Sequence, residues 1–176
     1  MTLLEDHRHH NHSHHHHHDH SHHHHHTHQP PDLAGRWLMV DIGAGTQDIL
    51  ICEPHRALEA SWKMVLPAPT KIAADRVRQA ARSGRDVWLY GSLMGGDALA
   101  SAVKDHLRAG LKVFAQEEAA LSLHDNLELV KSWGVILSQN KPAEASPVAC
   151  GDVDLRSLDH VLEHFGLSLP ARFAAA

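Results

Sequence analysis

Between Val40 and Leu50 the chain reads VDIGAGTQDIL, a run with aspartates at both ends and two glycines and a threonine between them. Those residue types suit the handling of a nucleotide. Glycines expose backbone N–H groups to anionic oxygen, a threonine hydroxyl adds a donor, and an aspartate at a strand end can hold hydrated Mg²⁺. Similar letters serve a loop that holds S-adenosylmethionine, which needs D-x-G-x-G-x-G followed directly by a helix. The residues after the loop separate the two chemistries. Gln47 stands where the third glycine would be, and Asp48-Ile49-Leu50-Ile51-Cys52 is β-rich and stops at Glu53-Pro54, so no helix can start there. The pattern predicts a strand, a tight turn and a returning strand whose tip cradles phosphate. A plainer reading stays open, in which Gly43 and Gly45 only make the turn and Asp41 and Asp48 cap its backbone.

A second concentration of chemistry lies upstream. Residues 7–28 contain 16 of the 21 histidines and no apolar side chain. Without apolar area to offset the entropy of ordering, this tail is expected to be disordered. His14, His15, His16, His17, His18, His20, His22, His23, His24, His25, His26 and His28 give overlapping sets of imidazole ligands suited to divalent metal ions such as Ni²⁺ or Zn²⁺. Because no spacing is privileged, the expectation is buffering or delivery of metal and not a rigid catalytic centre. His160-Val161-Leu162-Glu163-His164 matches HxxEH, an inverted zinc-protease pattern, but only 12 residues follow to supply a carboxylate ligand, so a solvated helix face is expected. Gly95-Gly96 ahead of a helix suggests either a second anion site or a simple turn.

These groups need elements to position them. Trp37–Ile42, Asp48–Cys52 and Ser61–Leu66 are short apolar runs bounded by Gly or Pro and read as three successive strands. A helix is expected over 70–81, capped by Thr70, with Ile72, Val77 and Ala80 on one face. Then follow a strand at 86–90, a helix at 97–109 with Leu99, Val103 and Leu107 spaced by four, a strand at 111–115, helical chain at 117–133 broken near His124, and a last strand at 134–137. Residues 140–147 look loose, and 155–165 form an amphipathic helix. Three successive strands can make a meander, while strands separated by helices must run parallel. The organisation is therefore a tail and linker over 1–32, an α/β domain over 33–138, and a loop with a C-terminal helix over 139–176.

The hairpin and the element order resemble the first phosphate motif and the ribonuclease H-like core of the actin-like ATPase superfamily, which includes sugar kinases, heat-shock chaperones and hydantoinases. More narrowly, VDIGAGTQDIL, VLPAPT at 65–70, SLMGGDALASAV, HLRAGLKVFAQEEAA and GDVDL are similar to a family of bacterial and archaeal proteins labelled pyruvate formate-lyase activating enzyme-like, over about Arg36 to Phe165. The superfamily resemblance implies Mg-ATP as cofactor, with Asp41 positioning Mg²⁺, Gly43, Gly45 and Thr46 holding phosphate, and Asp48 on metal or water. Such ATPases clamp nucleotide between two halves, and nothing after Gly151 resembles a second phosphate loop. The chain thus resembles one jaw, which implies a protein partner or a missing C-terminal half. Radical chemistry, as the narrower label suggests, would need three cysteines in CxxxCxxC; Cys52 and Cys150 are isolated.

Composition excludes other classes. The net charge is −5, and from Gln29 onward fifteen basic residues face eighteen acidic ones, so nucleic acid is not an expected partner. No apolar run reaches the length of a membrane span, the start lacks the features of a signal peptide, and the two cysteines suit a reducing compartment, so a cytoplasmic location is expected. The competing functional class is a non-enzymatic metal-binding or interaction module on a degenerate fold.

Overall fold

A computed structural model describes residues 35–53 and 55–175. Among the described residues, eight strands and five α-helices, besides a short 3-10 turn at Leu58–Ala60, appear in this order: β1 (Trp37–Ile42), β2 (Thr46–Cys52), β3 (Trp62–Pro67), α1 (Pro69–Arg82), β4 (Val87–Ser92), α2 (Asp97–Arg108), β5 (Val113–Ala115), α3 (Glu117–Leu121), α4 (Leu127–Ser132), β6 (Ile136–Leu137), β7 (Ser146–Gly151), α5 (Leu155–His164) and β8 (Arg172–Ala175). The protein is a mixed α/β fold with helices and a parallel-stranded sheet, as the alternation of strands and helices predicts. The His-rich segment from His14 to His28 lies outside the described residues.

The strands form two sheets. A mixed sheet, ordered β3-β2-β1-β8, contains the expected antiparallel meander, and β8 runs parallel to β1 at its edge. A second sheet, ordered β6-β5-β4-β7, is parallel throughout. Strand β4 does not join β1; that edge of the meander is taken by β8.

Residues 134–137 are not the last strand. Two more follow, β7 and β8, in chain whose composition hides them. Pro147 sits in β7, and proline is tolerated there because β7 is an edge strand whose far side needs no ladder hydrogen bond. The alanines after Phe173 have little strand propensity of their own, and the segment becomes a strand by pairing with Trp37–Val40. Thr70 is not the cap of α1 either. Pro69 occupies the first helical position, where its fixed φ suits a helix start, and Ala68 precedes it with no side-chain cap. The Thr70 side chain packs instead where a Cβ on Gly96 would sit, with Cγ2 at 2.5 Å from that point, so the starts of α1 and α2 touch.

Alternation along the strands sorts side chains to two faces. In the mixed sheet Leu38, Val40, Ile49 and Ile51 point inward and pack with Leu158 and Leu162 of α5. In the parallel sheet Val87, Leu89, Val113, Ala115 and Val148 face a larger core with Val77 of α1 and Leu99 and Val103 of α2. Gly91, at φ +86°, is required here, because the carbonyl oxygen of Cys150 occupies the space a Cβ would need. The opposite face of the parallel sheet carries Trp88, Phe114 and Ile136 in register and Tyr90 two residues along from Trp88, with Trp88 and Tyr90 stacked at 5.0 Å and Tyr90 and Ile136 exposed. Purely parallel sheets are normally covered on both sides. Among the described residues, this one is covered fully on one.

Candidate functional site

The glycine loop forms as a hairpin tip. Ile42 pairs with Gln47, and the Gly43 amide donates to the Thr46 carbonyl at 2.9 Å, so the chain doubles back within Ala44-Gly45. No helix follows Thr46, which removes the geometry a methyl-donor loop requires. The tip is tied down by the Ala68 amide, which donates to the Gly45 carbonyl at 3.1 Å and brings the start of α1 beside it.

Neither Gly43 nor Gly45 has a φ in the left-handed region, so backbone conformation does not demand glycine at either. At Gly43 a Cβ would meet the Thr46 carbonyl oxygen at 3.3 Å, a tight contact that explains the residue structurally. At Gly45 a Cβ would meet only Lys71 Nζ, at 3.6 Å, which is ordinary contact. The fold therefore tolerates a side chain at 45, and the glycine leaves open the space next to an ammonium group. Lys71 carries no special signal in the sequence, since its place in the first turn of α1 becomes relevant only when Ala68 docks on Gly45.

Asp41 and Asp48 are register partners on β1 and β2, so both carboxylates project from the same, outward face and both are exposed. Neither has an ion pair or side-chain hydrogen bond with another described residue. Like charges directly opposite in a ladder repel, so this pair is a local cost unless a cation lies between or near them. Thr46, one ladder step beyond Asp48 on that face, is exposed as well. The five expected binding residues are thus brought together at one end of one hairpin. Among the described residues no group of three or more His, Cys, Asp or Glu is assembled that could hold a metal by itself.

A cavity lies on the other side of the same two strands. It measures about 590 Å³ and is walled by the inner face of the mixed sheet, α1, the C-terminal ends of β4 and β7, and the first half of α5. None of the five candidate phosphate-site residues reaches it; from the hairpin, Gln47 and Ile49 do. Sequence reasoning missed this cavity and its residues Gln47, Arg76, Asp152 and Asp154. Alternation could have found one of them, because two strands carrying Asp41 and Asp48 outward must turn Gln47 inward.

Other candidates resolve simply. His160 and His164 stack edge-on at 4.9 Å on an exposed stretch of α5, with His164 Nδ1 2.9 Å from the His160 carbonyl oxygen, and among the described residues they join no group of three metal-ligating side chains. Gly96 precedes α2 without a side-chain cap, and its lack of a Cβ is accounted for by Thr70. Cys52 and Cys150 are both free thiols, and burial pushes Cys150 up to about 11, which keeps it protonated and inert. No helix among the described residues is long and apolar enough to cross a membrane.

With this geometry in place, comparison with known proteins adds one finding. Residues 94–176 match the family of unknown-function domains DUF1786, whose provisional description is pyruvate format-lyase activating enzyme. The match spans α2 to β8 and stops short of the glycine hairpin. No curated protein and no solved structure matches the chain.

Proposed function

We propose that the Gly43–Thr46 tip binds the phosphates of Mg-ATP, in one jaw of an actin-like, ribonuclease H-like ATPase whose other jaw comes from a partner protein or a further half. The observation that carries this reading is Gly45, a glycine the turn does not need, held beside Lys71 Nζ at a tip flanked by two unpaired aspartates. Mg²⁺ keeps several waters and takes one or two carboxylates together with phosphate oxygens, so Asp41, assisted by Asp48, suffices without a third protein ligand. Phosphate would lie against the free amides of the tip, the Thr46 hydroxyl and the Lys71 ammonium. The half-covered aromatic face of the parallel sheet and the half-exposed outer face of the mixed sheet, with Val65 65% exposed, support a partner surface, because such apolar area is normally buried. The match to DUF1786 supports the narrower likeness over residues 94–176 but says nothing about radical chemistry, for which this chain lacks the cysteines.

The test is thermal unfolding with and without Mg-ATP. Saturating ligand at a hundred times its Kd stabilises a protein by about 2.7 kcal/mol. The wild type is expected to show a shift of that order that Asp41→Ala abolishes and Lys71→Ala weakens. An unchanged melting temperature with Mg-ATP at millimolar concentration overturns the proposal, and the protein is then an interaction module on the same fold. For the tail, the proposal is buffering of Ni²⁺ or Zn²⁺ in support of metalloenzyme maturation. Deleting residues 7–28 should remove most tight Ni²⁺ binding in a titration; undiminished stoichiometry would assign the metal to the folded body.

A further inference from the structure

The cavity behind the hairpin has its own chemistry. Its walls are mostly apolar, with Ile49, Met64, Leu66, Ile72, Leu158 and Val161 contributing side chains, and at about 590 Å³ it falls within the range that holds small molecules. One polar side chain is set deep in it. Gln47 is 5% exposed and occupies an inward position of β2 between Ile42 and Leu66, where an apolar residue would be expected.

The orientation of this amide is fixed by its neighbour. Gln47 Nε2 donates to the Pro67 carbonyl at 3.1 Å, and a carbonyl can only accept, so the nitrogen must be the atom facing Pro67. That leaves Oε1 with no partner among the described residues, in a side chain that lines the cavity. This oxygen is not among the sealed polar atoms of the fold, so it faces the open space of the cavity, where a ligand N–H that reaches it makes a hydrogen bond worth a modest net gain over water.

The rim sets the ligand's charge. Arg76 and Arg156 are balanced by Asp152 and Asp154. Both aspartates are already engaged: Asp152 accepts from the Met94 amide at 2.8 Å, and Asp154 accepts from the Ser157 amide at 3.0 Å and pairs loosely with Arg76 at 3.7 Å. A balanced rim does not select an anion or a cation.

We infer that this cavity is a binding site for an uncharged, largely apolar small molecule, such as an aromatic heterocycle, that donates one hydrogen bond to Gln47 Oε1. The site does not depend on the phosphate reading, because the carboxylates of that site point to the opposite face of the hairpin.

The probe pair is indole and indene, which share a shape while only indole carries an N–H donor. In ¹H–¹⁵N spectra of the full chain, indole should produce saturable shifts at the Gln47 side-chain amide and at the backbone amides of Ile49, Ile72 and Leu158. It should bind about five-fold tighter than indene, the ratio expected for one neutral hydrogen bond. Gln47→Leu should bring the two probes to parity. Should that variant fail to fold, the indole-to-indene ratio in the wild type still decides. Absence of saturable shifts at millimolar indole overturns the site, and equal affinity for both probes in the wild type overturns the role of Gln47. Affinity that drops with added salt and with Arg76→Gln overturns the choice of an uncharged ligand in favour of an amphipathic anion.

Discussion

The two sheets differ in what lies behind them. Among the described residues, nineteen buried ones form one cluster behind the parallel sheet and six form the cluster behind the mixed sheet, so the parallel layer supplies most of that burial. The mixed sheet can hold a cavity, an inward glutamine and a repelling pair of aspartates because its own packing is thin and its neighbour carries the stability. Groups that cost free energy gather where the core is smallest, as expected of candidate sites on a scaffold stabilised elsewhere.

The largest test of this division is in the cores themselves. Leu99 in α2 is fully buried behind the parallel sheet, and Leu99→Ala should cost about 3 kcal/mol in urea unfolding, with all probes moving together. Leu162 in α5 is 1% exposed behind the mixed sheet, and Leu162→Ala should cost about 2 kcal/mol. Hydrogen exchange distinguishes the two. The Leu162 variant should speed exchange at β1 and β2 while β4 and β5 keep their protection. Uniform loss of protection in both variants would mean that the two sheets open as one unit and would break the comparison.

A smaller effect sharpens it from inside the larger core. His106 of α2 is 1% exposed, and neither ring nitrogen completes a hydrogen bond. Burial holds its pKa below the ordinary histidine value, while the backbone of Val77 and Lys112 and the charge of Asp86 pull the other way. Because the folded value lies below the unfolded one, the unfolded chain binds the proton first as pH falls. The contribution is complete above about pH 6.5 and is lost on acidification towards the folded value, with a slope of at most about 1.4 kcal/mol per pH unit. His106→Leu should flatten the stability profile between pH 7.5 and pH 5 relative to wild type. The difference between variants isolates His106 from the other twenty histidines. Parallel pH profiles for the two chains would remove His106 from the account.

How much of this was legible in the sequence follows the same division. The glycine hairpin was readable because Glu53-Pro54 forbids a helix after Thr46, and α2 was readable to within one residue because Leu99, Val103 and Leu107 repeat at helical spacing. The break between α3 and α4 near His124 was readable too. What could not be read depends on contacts between distant segments. Strand β8 exists only as a partner of β1, β7 only as the edge beside β4, and the placing of Lys71 against Gly45 only through the docking of Ala68. Gln47 shows the boundary most clearly. Its letter marked a missing glycine in one motif, whereas its inward position in the ladder makes it the polar atom of a cavity.

The smallest expected effect lies where the two layers meet. Asp154 caps α5, accepting from the Ser157 amide and, through Oδ2, from the Ser157 hydroxyl at 2.8 Å, and it faces Arg76 of α1 across 3.7 Å. The Ser157 amide holds its carboxyl below the ordinary value, burial opposes this, and the Ser157 hydroxyl and Arg76 add to the lowering. Its contribution is therefore present above the unfolded carboxylate pKa and lost as pH falls through the folded one. Two substitutions divide the cap from the ion pair. Asparagine is as good an N-cap as aspartate, so Asp154→Asn keeps an oxygen for the Ser157 amide, turns the second position into an NH2 that can donate to the Ser157 hydroxyl, and removes the charge facing Arg76; a half-exposed pair at this distance contributes little. Asp154→Ala removes the cap as well and should cost about 1 kcal/mol, concentrated in exchange at the start of α5. If Asn costs as much as Ala, the Arg76–Asp154 contact is what couples α1 to α5, and the mixed sheet is held to its neighbour by charge where the comparison assigns it only local capping.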